Sequence, residues 1–344
     1  MRIALDAMGG DFAPRATVEG ALLAVRGEPR DFDVVLVGRQ EAIAAELKRL
    51  GVDSHPRLEI VHASQVAGMD EAPSLVLRRK RDASVRVCFD LHKKGEVDAV
   101  VSAGNSGATM AVGMMVMGRL PEVDRPALAS VFPGLHGPTV LIDVGANVDC
   151  TPLMLLQFGY MGAVYAERVV GIADPKVGLL SIGEETSKGN TLVRHAHENF
   201  KASALNFIGN VEGRDLFLGR ADVVVCDGFV GNVCLKVSEG LAEALLTMLM
   251  EELKASMTAK VGGMLLRGAL RRLFKRMDYA TYGGAPLLGI NGVGFISHGA
   301  SSPKAIASAL RVAASSVREG LVEHIKEGLA RYRGRLLGEA AQGR

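Results

Sequence analysis

Tryptophan is absent from the 344 residues, and the other aromatic rings are few, with 5 Tyr and 11 Phe. So few aromatic faces make a poor platform for stacking the bases of single-stranded nucleic acid. An excess of one charge is missing too: 40 Lys and Arg stand against 38 Asp and Glu, a net charge of +2. No global field favours a polyanion, so no nucleic-acid partner is expected and any basic patch is local. Cysteine is scarce. Cys88, Cys150, Cys226 and Cys234 form neither a CxxC pair nor a zinc spacing, and they read as reduced residues of a cytosolic protein. Long apolar runs are also missing. Residues 99–118 are interrupted by Ser102, Asn105 and Ser106, and residues 150–166 by Gln157 and Gly159. A membrane span needs about 20 consecutive apolar residues, so both runs read as helices buried on a sheet. Nor does Met1-Arg-Ile-Ala-Leu5 resemble a secretory leader, since it runs straight into an acidic turn.

Glycine is abundant: 41 residues, well above the roughly 7% of average usage. The glycines fall at strand-to-helix turns, so low complexity is not the cause. Short apolar runs alternate with amphipathic stretches almost throughout, which predicts an α/β protein with a mostly parallel sheet covered on both faces. Strands are expected at 3–7, 33–38, 58–62, 97–102, 127–132, 139–144, 177–182, 205–209, 223–227 and 293–297. The 127–132 and 139–144 pair is close enough in sequence for an antiparallel insertion. Helices are expected at 15–26, 40–50, 74–94, 106–117, 152–170, 192–201, 232–257, 264–277 and 302–328, with Gly262-Gly263 separating the long pair. No repeat or Pro/Ser linker divides the chain. One domain over residues 1–330 is therefore expected, with a helical protrusion near 240–280 and a frayed tail at 331–344.

Six turns share a chemistry. Asp6-Ala-Met-Gly-Gly-Asp11, Ser102-Ala-Gly-Asn-Ser-Gly107, Asp143-Val-Gly-Ala-Asn147, Ser181-Ile-Gly-Glu-Glu-Thr-Ser-Lys-Gly-Asn190, Asp227-Gly-Phe-Val-Gly-Asn232 and Ser297-His-Gly-Ala-Ser-Ser302 each follow a strand. In a parallel sheet such ends converge on one edge, where open α/β proteins bind ligands. Glycines admit close backbone approach, and helix N-termini offer N–H groups to an oxyanion. Lys188 adds a full positive charge. Known nucleotide signatures fail: Gly183–Lys188 lacks the P-loop hydroxyl after its Lys, and no turn completes GxGxxG. Gly104-Asn-Ser-Gly107 is one residue short of a nucleophile elbow. His195 and His197 are two apart on a helix and face different ways, so they do not make a metal pair. No metal or organic cofactor is expected.

The turns at Asp6, Ser102, Gly183 and Asp227, together with Pro14, resemble the bacterial phosphate acyltransferase family, PlsX. The similarity extends from Met1 to about Glu327, with the motifs in family order. It implies a homodimeric three-layer α/β/α fold similar to phosphotransacetylases and isocitrate/isopropylmalate dehydrogenases. It also implies transfer of a long acyl chain from acyl carrier protein to inorganic phosphate, in fatty acid and phospholipid synthesis, without metal or nucleotide. The family's important Lys and Asn fall on Lys188 and Asn232. Phosphate is itself a nucleophile near neutral pH, so a Ser–His or Cys–His pair is not needed. Lys188 is expected to anchor phosphate or the oxyanion, and Asn232 to donate to the other. Gly104, Asn105, Ser106 and Asn147 are candidates for a phosphate cradle, and Asp6 and Glu185 for orienting Lys188 and backbone donors.

A phosphotransacetylase acting on acyl-CoA, and a non-catalytic anion-binding scaffold on a membrane, are the rival readings. Within 264–277, Leu270, Leu273 and Phe274 share a helical face flanked by Arg267 and Arg271, and no acidic residue lies between Leu253 and Met277. That pattern fits an interfacial helix on anionic lipid, or a contact with an acidic carrier protein. The expected setting is the cytoplasm, with peripheral contact at the inner membrane face.

Overall fold

The computed structural model describes residues 1–28, 31–277 and 283–330, without the side chains of 274–277. The predicted tail at 331–344 lies outside the described residues. The strands are β1 Arg2–Asp6, β2 Asp33–Gly38, β3 Leu58–His62, β4 Ala99–Ser102, β5 Ala127–Pro133, β6 Pro138–Ile142, β7 Val177–Leu180, β8 Phe207–Val211, β9 Val223–Val225, β10 Ala285–Leu288 and β11 Gly294–Ile296. They form one sheet in the order β3-β2-β1-β4-β11-β10-β5-β6-β9-β7-β8. The helices are α1 Arg15–Arg26, α2 Gln40–Arg49, α3 Pro73–Arg79, α4 Ser84–Lys93, α5 Ser106–Met117, α6 Pro152–Tyr165, α7 Thr191–Lys201, α8 Asp215–Leu218, α9 Gly228–Ala255, α10 Met257–Met277 and α11 Pro303–Arg318.

Alternation along each strand builds the three layers. Ile3 and Leu5 of β1 enter a core with α1, α6, α7 and α11, whereas Ala4 between them enters a second core with α4 and α5. Val34 and Leu36, against Val35 and Val37, divide in the same way on β2. Because side chains alternate across a strand, such continuously apolar runs require cover on both faces. Full burial of a side chain such as Ile3 contributes about 1.5–3 kcal/mol.

The sheet is not parallel throughout. β1, β2, β3, β4 and β11 run together, as do β6, β9, β7 and β8. Between the two blocks β10 is antiparallel to both β11 and β5, and β5 is antiparallel to β6. The blocks therefore run in opposite directions, which corrects the expectation that all six turns share an edge. The turns after β1, β4 and β11 lie at one edge of the sheet, and those after β6, β7 and β9 at the other. β10 carries this reversal, and its short Ala-Pro-Leu-Leu run gave no strand signal.

Several helix boundaries also differ. The expected 74–94 helix is two, α3 and α4, joined through an isolated bridge between Gln65 and Ala83. α9 begins at Gly228, four residues before the expected start, because Asp227 caps it by accepting from the Val230 N–H at 2.9 Å. The long pair divides at Ser256, and α10 runs unbroken through Gly262 and Gly263. Ser256 accepts from the Ala259 N–H at 3.1 Å, which supplies the new start. The last helix breaks at Gly320, which takes φ +59°, and resumes over 321–330.

Candidate active site

Three adjacent strands, β6, β9 and β7, end side by side, each about 4.8 Å from the next. The β6 turn is built on Asp143, which is fully buried. Its carboxylate accepts from the N–H groups of Leu128, Gly145, Ala146 and Asn147 and from Asn147 Nδ2, at 2.7–3.2 Å. Burial raises its pKa, and these donors oppose the shift. Asn147 is spent on structure: its amide also reaches Pro126 O at 2.8 Å, and its carbonyl accepts from Gly228 N at 2.7 Å. That last bond ties the β6 turn to the first residue of α9. Gly231 must be glycine here, since a Cβ would lie 1.8 Å from Asp143 O. The close approach sets Asn232 beside Gly145, whose ideal Cβ position is 3.6 Å from the Asn232 Cβ. Asn232 is exposed, and its amide makes no hydrogen bond to any described residue.

The β7 turn presents Lys188. Its backbone N–H donates to Glu185 O at 3.0 Å, and Asn210 Nδ2 on β8 donates to the same carbonyl at 3.0 Å. Asn210 Oδ1 lies 3.0 Å from Nδ1 of His197, a buried residue of α7. Since the Asn210 amide nitrogen is committed to Glu185, Nδ1 of His197 is the donor. The His197 ring is held edge-on by Phe207. A chain of bonds thus runs from α7 through β8 to the loop carrying Lys188. Gly183 lets the loop fold back: a Cβ there would lie 2.9 Å from Glu185 Oε2 and 3.1 Å from Lys188 Cγ. The Lys188 ammonium is exposed and has no partner among the described residues. Ser181 Oγ, beneath Gly189, is buried without a hydrogen bond to any described residue. Alongside, Glu184 pairs with Arg220 and lies 3.9 Å from Arg214, and the Arg220 bond holds its carboxyl below the usual range.

Asp6, Gly104, Asn105 and Ser106 belong to the opposite edge. Asp6 is buried and accepts from Ser102 Oγ at 2.8 Å and from Met8 N at 3.2 Å. It therefore does not orient Lys188, as the sequence suggested, because its strand runs the other way. Gly104 N donates to Ser102 Oγ at 3.1 Å. Asn105 caps α5 by accepting from Ala108 N, and its Nδ2 clamps the carbonyls of Gly68, Met69 and Glu71. Ser106 begins α5 and is exposed. The edge that joins Lys188, Glu185, Asn147 and Asn232 is thus distinct from these four.

The cysteines are not nucleophiles here. Burial raises the thiols of Cys88 and Cys226 strongly and pushes Cys150 up to about 12, which suppresses the thiolate. His195 is exposed while His197 faces Asn210, so the two do not converge. The pattern that escaped the sequence reading is the His197–Asn210 pair. Its members sit on different elements, and only the parallel pairing of β7 with β8 brings them together.

The fatty acid synthesis protein family matches residues 1–324. A phosphate acyltransferase of Heliobacterium modesticaldum is 53% identical over 327 residues, covering 95% of this chain and 97% of that protein. Another, of Pelobacter propionicus, is 54% identical over 332 residues, covering 96% and 94%. Among solved structures, a phosphotransacetylase from Streptococcus pyogenes matches with a TM-score of 0.65 at 19% identity, covering 93% of this chain and 94% of that one. A 4-hydroxythreonine-4-phosphate dehydrogenase from Klebsiella pneumoniae matches at 0.54 and 13%, covering 92% and 97%. These two likenesses concern the fold alone. The matching family and the open polar edge define an α/β acyltransferase of fatty acid synthesis. More narrowly, the chain belongs to the phosphate acyltransferase family.

Proposed function

We propose that this enzyme moves a long acyl chain from acyl carrier protein to inorganic phosphate, with Lys188 and Asn232 in contact with the reacting atoms. The observation that carries the assignment is the difference in engagement: Asn105, Asn147, Asp6 and Asp143 are consumed by structure, whereas the Lys188 ammonium and the Asn232 amide, at adjoining turns, have no partner among the described residues. A phosphate oxygen attacks the thioester carbonyl, and a tetrahedral oxyanion forms. Its collapse breaks the C–S bond, and the sulfur leaves as a thiol with the proton that phosphate gives up. Lys188 neutralises charge on phosphate or oxyanion, and Asn232 donates to the other. Glu185 and Asn147 hold the loops by backbone and amide contacts.

Two features extend the reading to partners. α9 exposes Val230, Val233, Val237, Leu241, Leu245 and Met248 along one face, a stripe suited to a second copy of the chain. On α10, Met257, Val261 and Leu265 are exposed on another face, Leu265 at 83%. With Arg272 nearby, they suit contact with an anionic lipid surface or an acidic carrier protein. No described helix is long and apolar enough to cross a membrane.

The deciding experiment is thiol release from palmitoyl thioesters of acyl carrier protein and of coenzyme A, with and without phosphate. Release that needs phosphate and favours the carrier protein is expected. Release indifferent to phosphate overturns the reaction, and preference for the CoA ester overturns the donor.

A further inference from the structure

A groove of about 1400 Å³ lies between α9, α10 and the segment after β11. Its α9 wall includes Ala242, Leu246, Met250 and Leu253, and its α10 wall Met264 and Leu270. Charges line it too, among them Glu239, Lys254 and Arg267. Arg267, Leu270 and Arg271, expected from the sequence to contact a membrane or a carrier protein, line this groove, while Leu273 stays exposed and the Phe274 side chain lies outside the described residues.

The groove is in phase with the reacting edge. Glu239, Glu243, Leu246 and Met250 follow Asn232 by seven, eleven, fourteen and eighteen residues along one uninterrupted helix. At about 100° per residue these positions fall within roughly 40° of Asn232 on the helix surface. The exposed stripe from Val230 to Met248 lies on the opposite side of α9 and is a different surface. Along the axis the first lining residue, Glu239, is about 10 Å beyond Asn232. One face of α9 therefore carries the Asn232 amide and, beyond it, the groove wall, first Glu239, Ala242 and Glu243 and then the apolar Leu246 and Met250.

We infer that this groove holds the long acyl chain while its thioester carbonyl sits at Asn232. The inference rests on the assignment of Asn232 to the reacting carbonyl. A palmitoyl chain is roughly 20 Å long when extended, from carbon–carbon bonds of about 1.5 Å, so it passes Ala242 and ends near Leu246. A butyryl chain stops short of the groove. Each methylene withdrawn from water strengthens binding about fourfold, and binding of such remote groups raises kcat/KM where it persists in the transition state.

The test is a pair of plugs. Ala242→Trp stands about 15 Å from Asn232 along α9, and Leu246→Trp about 21 Å. For Ala242→Trp, the ratio of kcat/KM for palmitoyl over butyryl acyl carrier protein is expected to fall at least ~10-fold, since several methylenes lose their site. Leu246→Trp is expected to penalise palmitoyl while sparing lauroyl. The ratio cancels any general loss from misfolding. Equal losses at every chain length, or unchanged ratios in both variants, overturn the inference. If the wild-type protein shows no phosphate-dependent thiol release, the reaction assignment fails on its own account. The groove is then judged by binding of a dansyl-labelled long-chain fatty acid, displaced by palmitate, in wild type and Ala242→Trp. Undiminished binding by the variant overturns the groove.

Discussion

Lys188 and Asn232 differ in what else they support. Lys188 projects from a loop and its ammonium has no partner among the described residues, so Lys188→Ala is expected to cut turnover ~10²–10³-fold with thermal stability unchanged. Asn232 has the sequence signature of a helix cap, but Asp227 is the cap. Asn232→Ala is therefore also expected to leave stability near wild type, and a steady-state rate beside a melting curve for each variant checks both. Near-normal thiol release from a folded variant would remove that residue from the reaction. Asn210 offers a sharper probe. Asn210→Asp sets a carboxylate against the Glu185 carbonyl, where an amide now donates. Displacing the loop by about 1 Å can cost ~10²-fold in rate, so kcat should fall and KM for phosphate rise, with Asn210→Gln partly restoring both. A loss of stability with unchanged kinetics would reduce the His197–Asn210 pair to packing.

At the scale of elements, α4 is bound to the sheet by His92. Its Nδ1 bonds Val97 O at 3.0 Å, and its Nε2 accepts from Val293 N at 3.0 Å, so the ring is neutral with Nδ1 protonated. Burial lowers its pKa below the ordinary 6.5. The unfolded chain then binds more protons between the two values, so stability rises with pH. This contribution is complete above the unfolded value and is lost as pH falls through the folded one. The melting temperature of wild type should drop more steeply below pH ~6.5 than that of His92→Gln, whose amide can both donate and accept. Parallel slopes would reject the role. On α10, Leu265→Glu with Leu266→Glu should abolish sedimentation with phosphatidylglycerol vesicles, and unchanged sedimentation would sink the lipid contact. Strands with strong β-branched runs, such as β2, were legible to the residue because both faces are buried. The ends of α1 and α5 were legible as well, but those of α9 and α10 were not, since a capping side chain such as Asp227 or Ser256 outweighs the glycines that looked like breaks.

For the whole molecule, composition and the alternation of runs were enough to read a layered α/β protein. The direction of half the sheet was hidden, because it depends on how β10 pairs with strands far away in sequence. That one strand decided which of the six glycine-rich turns keep company with Lys188. The turns were legible as turns; their grouping was not. The stripe from Val230 to Met248 leads to an expectation at this scale: Val237→Glu with Leu241→Glu should lower the mass seen by light scattering from two chains to one. A wild type that already scatters as one chain would dismiss the pairing.

α9 is a long rod tied at its first residue, where the Gly228 N–H donates to Asn147 O. Its 28 residues span ~42 Å, and Asn232 stands only ~6 Å from the first of them. A tilt of about 5° around the anchored Gly228 would carry the far end ~4 Å but Asn232 only ~0.5 Å, by the same rise per residue. Displacement of the hairpin tip would therefore leave Asn232, the amide proposed to meet the carbonyl, within the sub-ångström tolerance that orientation demands. Spin labels near Ser256 should report broad distances to the sheet where labels beside Asn232 report narrow ones. In such a tilt the chemistry proposed for Asn232 would sit at the fulcrum and the travel would fall to the tip.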